Sequence, residues 1–145
     1  MKALIVNGPN LNLLGEREPE VYGSESLQDI NAWITDSMPS IQLTFFQSNH
    51  EGELIDFLQQ HRQQDYALVI NPGGLTHYSV ALRDAIAGCQ YRAVEVHLSD
   101  IHAREDFRQI SMIKDVCIAQ VAGKGKQGYL DALSILGDDA TTKSI

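Results

Sequence analysis

Cysteine is scarce in this chain: Cys89 and Cys117 are the only two among 145 residues. Two cysteines without metal-type spacing build neither a disulfide framework nor a zinc knuckle. Both fall in apolar stretches, so buried, inert thiols are expected. Basic residues are also few, with 11 lysines and arginines against 19 acidic residues and a formal net charge of −8. That balance excludes nucleic acid as a partner, since phosphate binding needs a basic footprint. A small anion is still allowed, because a local arginine cluster can reverse the potential inside a cleft. Long apolar runs are missing too. The opening MKALIVNGPN is too short for the apolar core of a signal peptide, and no stretch approaches the ~20 residues of a membrane span. A cytoplasmic chain with no membrane partner is expected. There is no G-x-S-x-G elbow. The lysines (Lys2, Lys114, Lys124, Lys126, Lys143) sit at termini or in polar turns, so none looks like a desolvated Schiff-base amine. Carbonyl chemistry here would rest on proton transfer and electrostatics.

What the sequence does contain is a regular alternation. Short β-branched runs at 3–7 (ALIVN), 41–47 (IQLTFFQ), 67–71 (ALVIN), 93–97 (AVEVH) and 116–121 (VCIAQV) read as strands. Several are almost wholly apolar, as in a parallel sheet covered on both faces. Helical spacing links Leu27, Ile30, Ile34 and Met38, with Ser24 or Ser26 as N-cap and Pro39 as terminator. Further helical stripes run through Leu54, Phe57 and Leu58, through Leu82, Ala85 and Ile86, and through Tyr129, Leu130, Leu133 and Leu136. The last is expected to end at Gly137. The pattern predicts one doubly wound α/β domain over residues 1–137 and a flexible polar tail over 138–145.

In such a fold ligands bind beyond the carboxyl ends of the strands, which selects the loops 8–23, 72–77 and 97–108. The first is long for a βα connection and punctuated by glycine and proline, so it can act as a lid. It carries Arg17 and Tyr22. Tyr22 either packs or serves as a base. Bringing a phenol from ~10 to neutrality takes ~4 kcal/mol, which arginines in a water-excluded cleft can supply. The second loop, NPGGLTH, leads into a helix expected to begin near Thr76. It lacks both the dinucleotide fingerprint and the phosphate-loop lysine, and His77 is as readily a capping or packing residue as a functional one. In the third, EVHLSDIHARE, strand pleating puts Glu95 and His97 on one face, and a carboxylate beside a histidine can fix its tautomer for general acid work. A zinc pair of His97 and His102 lacks a third ligand, so no metal is expected. Arg104 and Arg108 stand four apart, either as a solvated strip or as an anion clamp on one helical face.

The stretches NGPNLNLLGEREPEVYG, FFQSNHEGELID, VEVHLSDIHAREDFR and GKGKQGY, with VINPGGLTH before a helix, together resemble the type II 3-dehydroquinate dehydratases over nearly the whole chain. The resemblance implies a flavodoxin-like fold with a five-stranded parallel sheet, no cofactor, and a homododecamer arranged as a tetramer of trimers. It implies anti elimination of water from 3-dehydroquinate, through an enolate, to 3-dehydroshikimate in the shikimate pathway of aromatic amino acid biosynthesis. By the same resemblance Tyr22 is the proton acceptor, Arg17 the stabiliser of tyrosinate and transition state, His97 the proton donor and Glu95 its orienting partner. Asn10 would hold a water at the enolate oxygen. Asn71, His77, the amides of Leu98 and Ser99, and Arg108 would bind ring hydroxyls and carboxylate. Asp84 would reach into a neighbouring subunit's site. Leu75, Tyr78, Asp100, Gln109 and Ile110 depart from the usual family pattern, at positions that carry no transferred chemical group. The competing expectation is a non-catalytic flavodoxin-like module binding a phosphate-containing ligand.

Overall fold

The computed structural model describes residues 1–16 and 19–144, with side chains for all of these except 21, 22 and 140–144. Five strands, β1 (Lys2–Asn7), β2 (Gln42–Gln47), β3 (Tyr66–Asn71), β4 (Ala93–His97) and β5 (Ala119–Ala122), pair in parallel in the order β2-β1-β3-β4-β5. The helices are α1 (Pro19–Tyr22), α2 (Leu27–Ser37), α3 (Glu51–Gln60), α4 (Val80–Gly88) and α5 (Gln127–Ser144). This is the flavodoxin-like order, in which the chain reverses direction across the sheet between β1 and β3 and opens a crevice there.

Strand pleating explains the two layers. Ala3 and Ile5 of β1 join Ile30 and Ile34 of α2 and Leu133 and Leu136 of α5 in one cluster. Leu4 and Val6 point the other way and join Leu54 and Leu58 of α3 and Leu82 and Ile86 of α4. Each large aliphatic side chain so buried stabilises the fold by about 1.5–3 kcal/mol, which is why the strands read as apolar runs. Of the two possible caps of α2, Ser26 is used: its hydroxyl accepts the Asp29 amide at 3.1 Å and Asp29 Oδ2 accepts the Ser26 amide at 3.1 Å.

Several boundaries differ from expectation, each for a local reason. β5 begins at Ala119 rather than at 116, because pairing with β4 starts where Val94 faces Ala119; Lys114–Val116 forms a 3₁₀ turn instead. The helix expected near Thr76 starts at Val80, where Ser79 caps the Leu82 amide at 2.9 Å, and Gly73–His77 is a 3₁₀ turn. Arg104 and Arg108 share no helix: Arg104 is extended (φ −102, ψ −168) between the 3₁₀ turns Ile101–Ala103 and Asp106–Arg108. α5 continues past Gly137 to Ser144. There Arg92, just before β4, donates to the Leu136 carbonyl at 3.1 Å and approaches Asp139 at 3.4 Å. Cys89 and Cys117 are half-buried rather than buried. Burial raises both thiols, that of Cys117 to about 12, so they stay protonated.

Candidate active site

Three strands end in buried polar residues at one edge of the sheet: Asn7 on β1, Asn71 on β3 and His97 on β4. Above them lies a cavity of about 160 Å³, lined by Asn10, Asn71, His77, His97, Leu98, Ser99, Arg104 and Arg108 together with Pro9, Leu11, Leu14, Gly73, Gly74 and Ile101. The loop after β1 is pressed against the loop after β3. Gly8 donates to the Asn71 carbonyl at 2.8 Å, and a Cβ on Gly8 would sit 2.3 Å from the Pro72 carbonyl oxygen. Only glycine allows this approach.

Asn10 follows in the left-handed conformation (φ 72, ψ −7), which few residues other than glycine and asparagine adopt cheaply. Its amide donates to Asn49 Oδ1 at 2.9 Å. Gln47 Nε2 supports the same oxygen at 3.2 Å and the Gly8 carbonyl at 3.1 Å. The loop after β2, which the strand-end rule did not select, thus fixes Asn10 at the cavity wall.

On the α2/α5 side of the sheet, Asn71, Tyr129 and Asn7 form a chain. The Tyr129 hydroxyl donates to Asn7 Oδ1 at 2.5 Å and accepts from Asn71 Nδ2 at 3.5 Å, while Asn71 Oδ1 accepts the Gly73 amide at 3.1 Å. Burial pushes the Tyr129 phenol up to about 12, against the Asn71 hydrogen bond, so it remains a neutral donor. Asn71 is left with one N–H to offer a ligand.

The α3/α4 side carries the acid-base pair. Glu95 has no exposed surface, and its carboxylate accepts from His97 Nε2, from Thr76 Oγ1 at 2.7 Å and from Ser111 Oγ at 2.8 Å. Burial raises the Glu95 carboxyl, but these hydrogen bonds, that of His97 foremost, outweigh it and hold it below the ordinary range. A carboxylate only accepts, so His97 carries its proton on Nε2 and has Nδ1 available to a ligand. His77 donates from Nδ1 to the Ile110 carbonyl at 2.8 Å, which leaves Nε2 bare. Burial lowers its titration despite that bond, with His97 and Arg108 adding to the lowering.

Peptide geometry sets the direction of two backbone amides at the cavity. The His97 and Leu98 carbonyls accept the Gly123 and Gly125 amides at 3.3 and 3.0 Å. In a trans peptide the N–H points opposite to the carbonyl, so the Leu98 and Ser99 amides face away from the 123–125 loop, on the cavity side. Arg108 lies alongside, its Nε held by Glu105 at 2.5 Å. Asp100, one of the departures, caps the next turn by accepting the His102 amide at 3.0 Å. No group of His, Cys, Asp and Glu suited to a metal occurs among the described residues. The cavity therefore brings together Asn10, Asn71, His77, His97, Leu98, Ser99 and Arg108, with Glu95 behind His97 and Arg104 as an additional lining cation. Asp84 is exposed on α4 and does not line it. Tyr22 closes α1 by its backbone, but its side chain, like all of Arg17, lies outside the described residues.

The family described as dehydroquinase class II matches residues 1–137. The chain belongs to this family. A 3-dehydroquinate dehydratase of Halothermothrix orenii is 52% identical over 137 residues, covering 93% of this chain and 93% of that protein. The crystal structure of a type II dehydroquinase from Butyrivibrio crossotus superposes with a TM-score of 0.91 at 43% identity, covering 94% of this chain and 97% of the other. A type II dehydroquinase from Propionibacterium acnes gives a TM-score of 0.89 at 34% identity, covering 93% and 94%. The family match spans the whole sheet and all of the residues that line the cavity.

Proposed function

We propose that this chain is a type II 3-dehydroquinate dehydratase, which removes water from 3-dehydroquinate to give 3-dehydroshikimate in the cytoplasm. The observation that carries the reading is the buried Glu95–His97 pair, which presents a ring nitrogen to a cavity furnished with cationic and amide donors for a small anion.

In this reading Arg108 and the amides of Leu98 and Ser99 hold the substrate carboxylate, and Asn71 and His77 hold ring hydroxyls. Tyr22, as phenolate beside Arg17, takes the proton next to the ketone. The electron pair moves onto the ketone oxygen, where a water on Asn10 stabilises the enolate. His97 acts as the imidazolium, with one proton on Nε2 held by Glu95 and a second on Nδ1; as the enolate collapses, the β-hydroxyl departs with the Nδ1 proton, forming the double bond and water. Tyr22 ends protonated and His97 neutral, so a proton must pass back through solvent before the next turnover. A non-catalytic phosphate-binding module would also use the amide pair and Arg108, but it gives the Glu95–His97 pair no task. Mixing the protein with 3-dehydroquinate and following conjugated-enone absorbance decides between them: enone formation is expected, and its absence with intact phosphate binding would reverse the assignment.

The loop after β2 has its own test. Asn49→Ala removes the acceptor of the Asn10 amide and should lower kcat about tenfold, or 1.4 kcal/mol. Asn49→Asp keeps an acceptor and should retain most of the activity. Equal loss in both variants would show that the hydrogen bond to Asn10 is not what matters.

The reading extends to assembly. Asp84 is exposed, and Tyr78, Val80, Phe107 and Ile110 are large apolar side chains left exposed on the turn and loop segments around the cavity and at the start of α4. Covering these with another copy, so that Asp84 enters a neighbour's site, supports a trimer and, through it, a dodecamer. Light scattering should give a mass many times the 16.1 kDa of one chain. A fully active monomer would refute the assembly.

A further inference from the structure

The hydrogen bonds around Glu95 are more selective than burial alone requires. Glu95 has no exposed surface, and among the described residues no lysine or arginine pairs with it. A buried carboxylate without a cation stays charged only if enough donors surround it. Oε1 accepts from Ser111 at 2.8 Å, and Oε2 accepts from His97, from Thr76 at 2.7 Å and from Ser111 at 2.8 Å. We infer that Thr76 and Ser111 are positioning residues for this site: their hydroxyls hold Glu95 charged and in one orientation, and through it hold His97 with the proton on Nε2 and Nδ1 towards the ligand.

The proton count supports this. Each hydroxyl has one proton, and the two oxygens stand 3.2 Å apart. Ser111 already accepts the Lys114 amide at 3.1 Å. If Glu95 is a carboxylate, both hydroxyl protons go to it and every donor has an acceptor. If Glu95 carried a proton, that proton would compete with the His97, Thr76 and Ser111 donors for the same two oxygens. The arrangement fits the anion. Other titratable groups facing the pair are His77 from the Gly73–His77 turn, with Arg108 beyond it, and Cys117 from the segment before β5. The Cys117 thiol, raised to about 12 by burial and then by the Glu95 charge, adds no charge of its own.

Ser111 is held in place independently of Glu95. The Met112 amide donates to the Thr76 carbonyl at 2.7 Å, Arg83 Nη1 donates to the Met112 carbonyl at 2.8 Å, and the Ile110 carbonyl accepts from His77 at 2.8 Å. One short segment, 110–112, therefore buttresses both imidazoles of the cavity. Side chains that merely filled a polar hole would not have to present a proton each to the same carboxylate.

The tautomer claim stands on geometry, whereas its effect on turnover rests on the dehydratase reading, so the test measures the two separately. In the free protein, nitrogen-15 NMR of labelled histidine should show His97 with its proton on Nε2. Ser111→Ala and Thr76→Val should each bring in the Nδ1–H tautomer. Both should lower kcat about tenfold, the usual scale for losing an orienting partner of a working imidazole, with KM changed less than about twofold. Exchange of the substrate C2 proton, which does not need His97, should continue at the wild-type rate. Ser111→Thr and Thr76→Ser keep the hydroxyls and should restore tautomer and kcat, and they remain informative if an alanine or valine variant fails to fold. Unchanged His97 resonances in a folded Ser111→Ala protein would overturn the inference. So would parallel loss of exchange and elimination that Ser111→Thr does not repair. A tautomer shift in a protein without dehydratase activity would uphold the positioning role and overturn the functional reading alone.

Discussion

Replacing Tyr22 with phenylalanine should lower kcat by about 10²–10⁴-fold, the range expected on losing a general base, while the protein folds as before. The change removes one oxygen from the end of α1 and keeps the ring. Loss of a single hydroxyl with the ring retained should change stability little. Loss of substrate C2 exchange together with elimination is the specific signature, because proton abstraction precedes hydroxyl departure. Arg17→Lys should show the same double loss in milder form. Lysine keeps the charge but not the planar fork, and is more strongly hydrated. The deficit should fall on kcat rather than KM, since the interaction counts most as charge develops. A Tyr22→Phe enzyme with near wild-type turnover would remove the base assignment, and wild-type exchange in Arg17→Lys would remove the arginine-tuned tyrosinate.

His97→Asn should slow elimination by a similar 10²–10⁴-fold but leave C2 exchange running, provided the enolate forms reversibly. Asparagine fills part of the imidazole volume and can still hydrogen-bond to Glu95, yet has no proton to give a departing hydroxyl. The structure makes the comparison clean: His97 sits at the carboxyl end of β4 with its supports behind it, and Gly123 and Gly125 fix the backbone there independently of the side chain. Glu95→Gln is the companion. It keeps the shape, but it brings an amide donor to a site where three donors already converge on the two oxygens of residue 95, so it should impair elimination without touching exchange. If His97→Asn loses exchange and elimination equally, His97 serves substrate placement rather than proton delivery.

The layers of the fold were legible because pleating and helical spacing are periodic. The runs at 3–7, 67–71 and 93–97 differ from β1, β3 and β4 by at most one residue, and alternation alone put Glu95 and His97 on one face. Segments governed by irregular backbone were not legible. Arg104 and Arg108 looked like helical neighbours, yet Arg108 reaches the cavity from a short turn and Arg104 from the extended chain before it. The stop at Gly137 failed because glycine is tolerated inside a helix anchored by contacts of Arg92 with Leu136 and Asp139. The supporting contacts of Thr76, Ser111, Gln47, Asn49 and Tyr129 were not legible, even where the residue itself fell in a helical stripe or a quoted stretch. Each acts on a residue distant in the chain, Thr76 on Glu95 and Tyr129 on Asn7 for instance, and such pairings leave no periodic trace.

The sheet itself separates two hydrogen-bond networks. The Asn7–Tyr129–Asn71 chain lies on the α2/α5 face and the Thr76–Ser111–Glu95–His97 network on the other, and no hydrogen-bonding residue belongs to both. Changes without shared partners combine additively in free energy. Substitutions within one network should therefore leave the hydrogen bonds of the other in place, with the β-sheet between them.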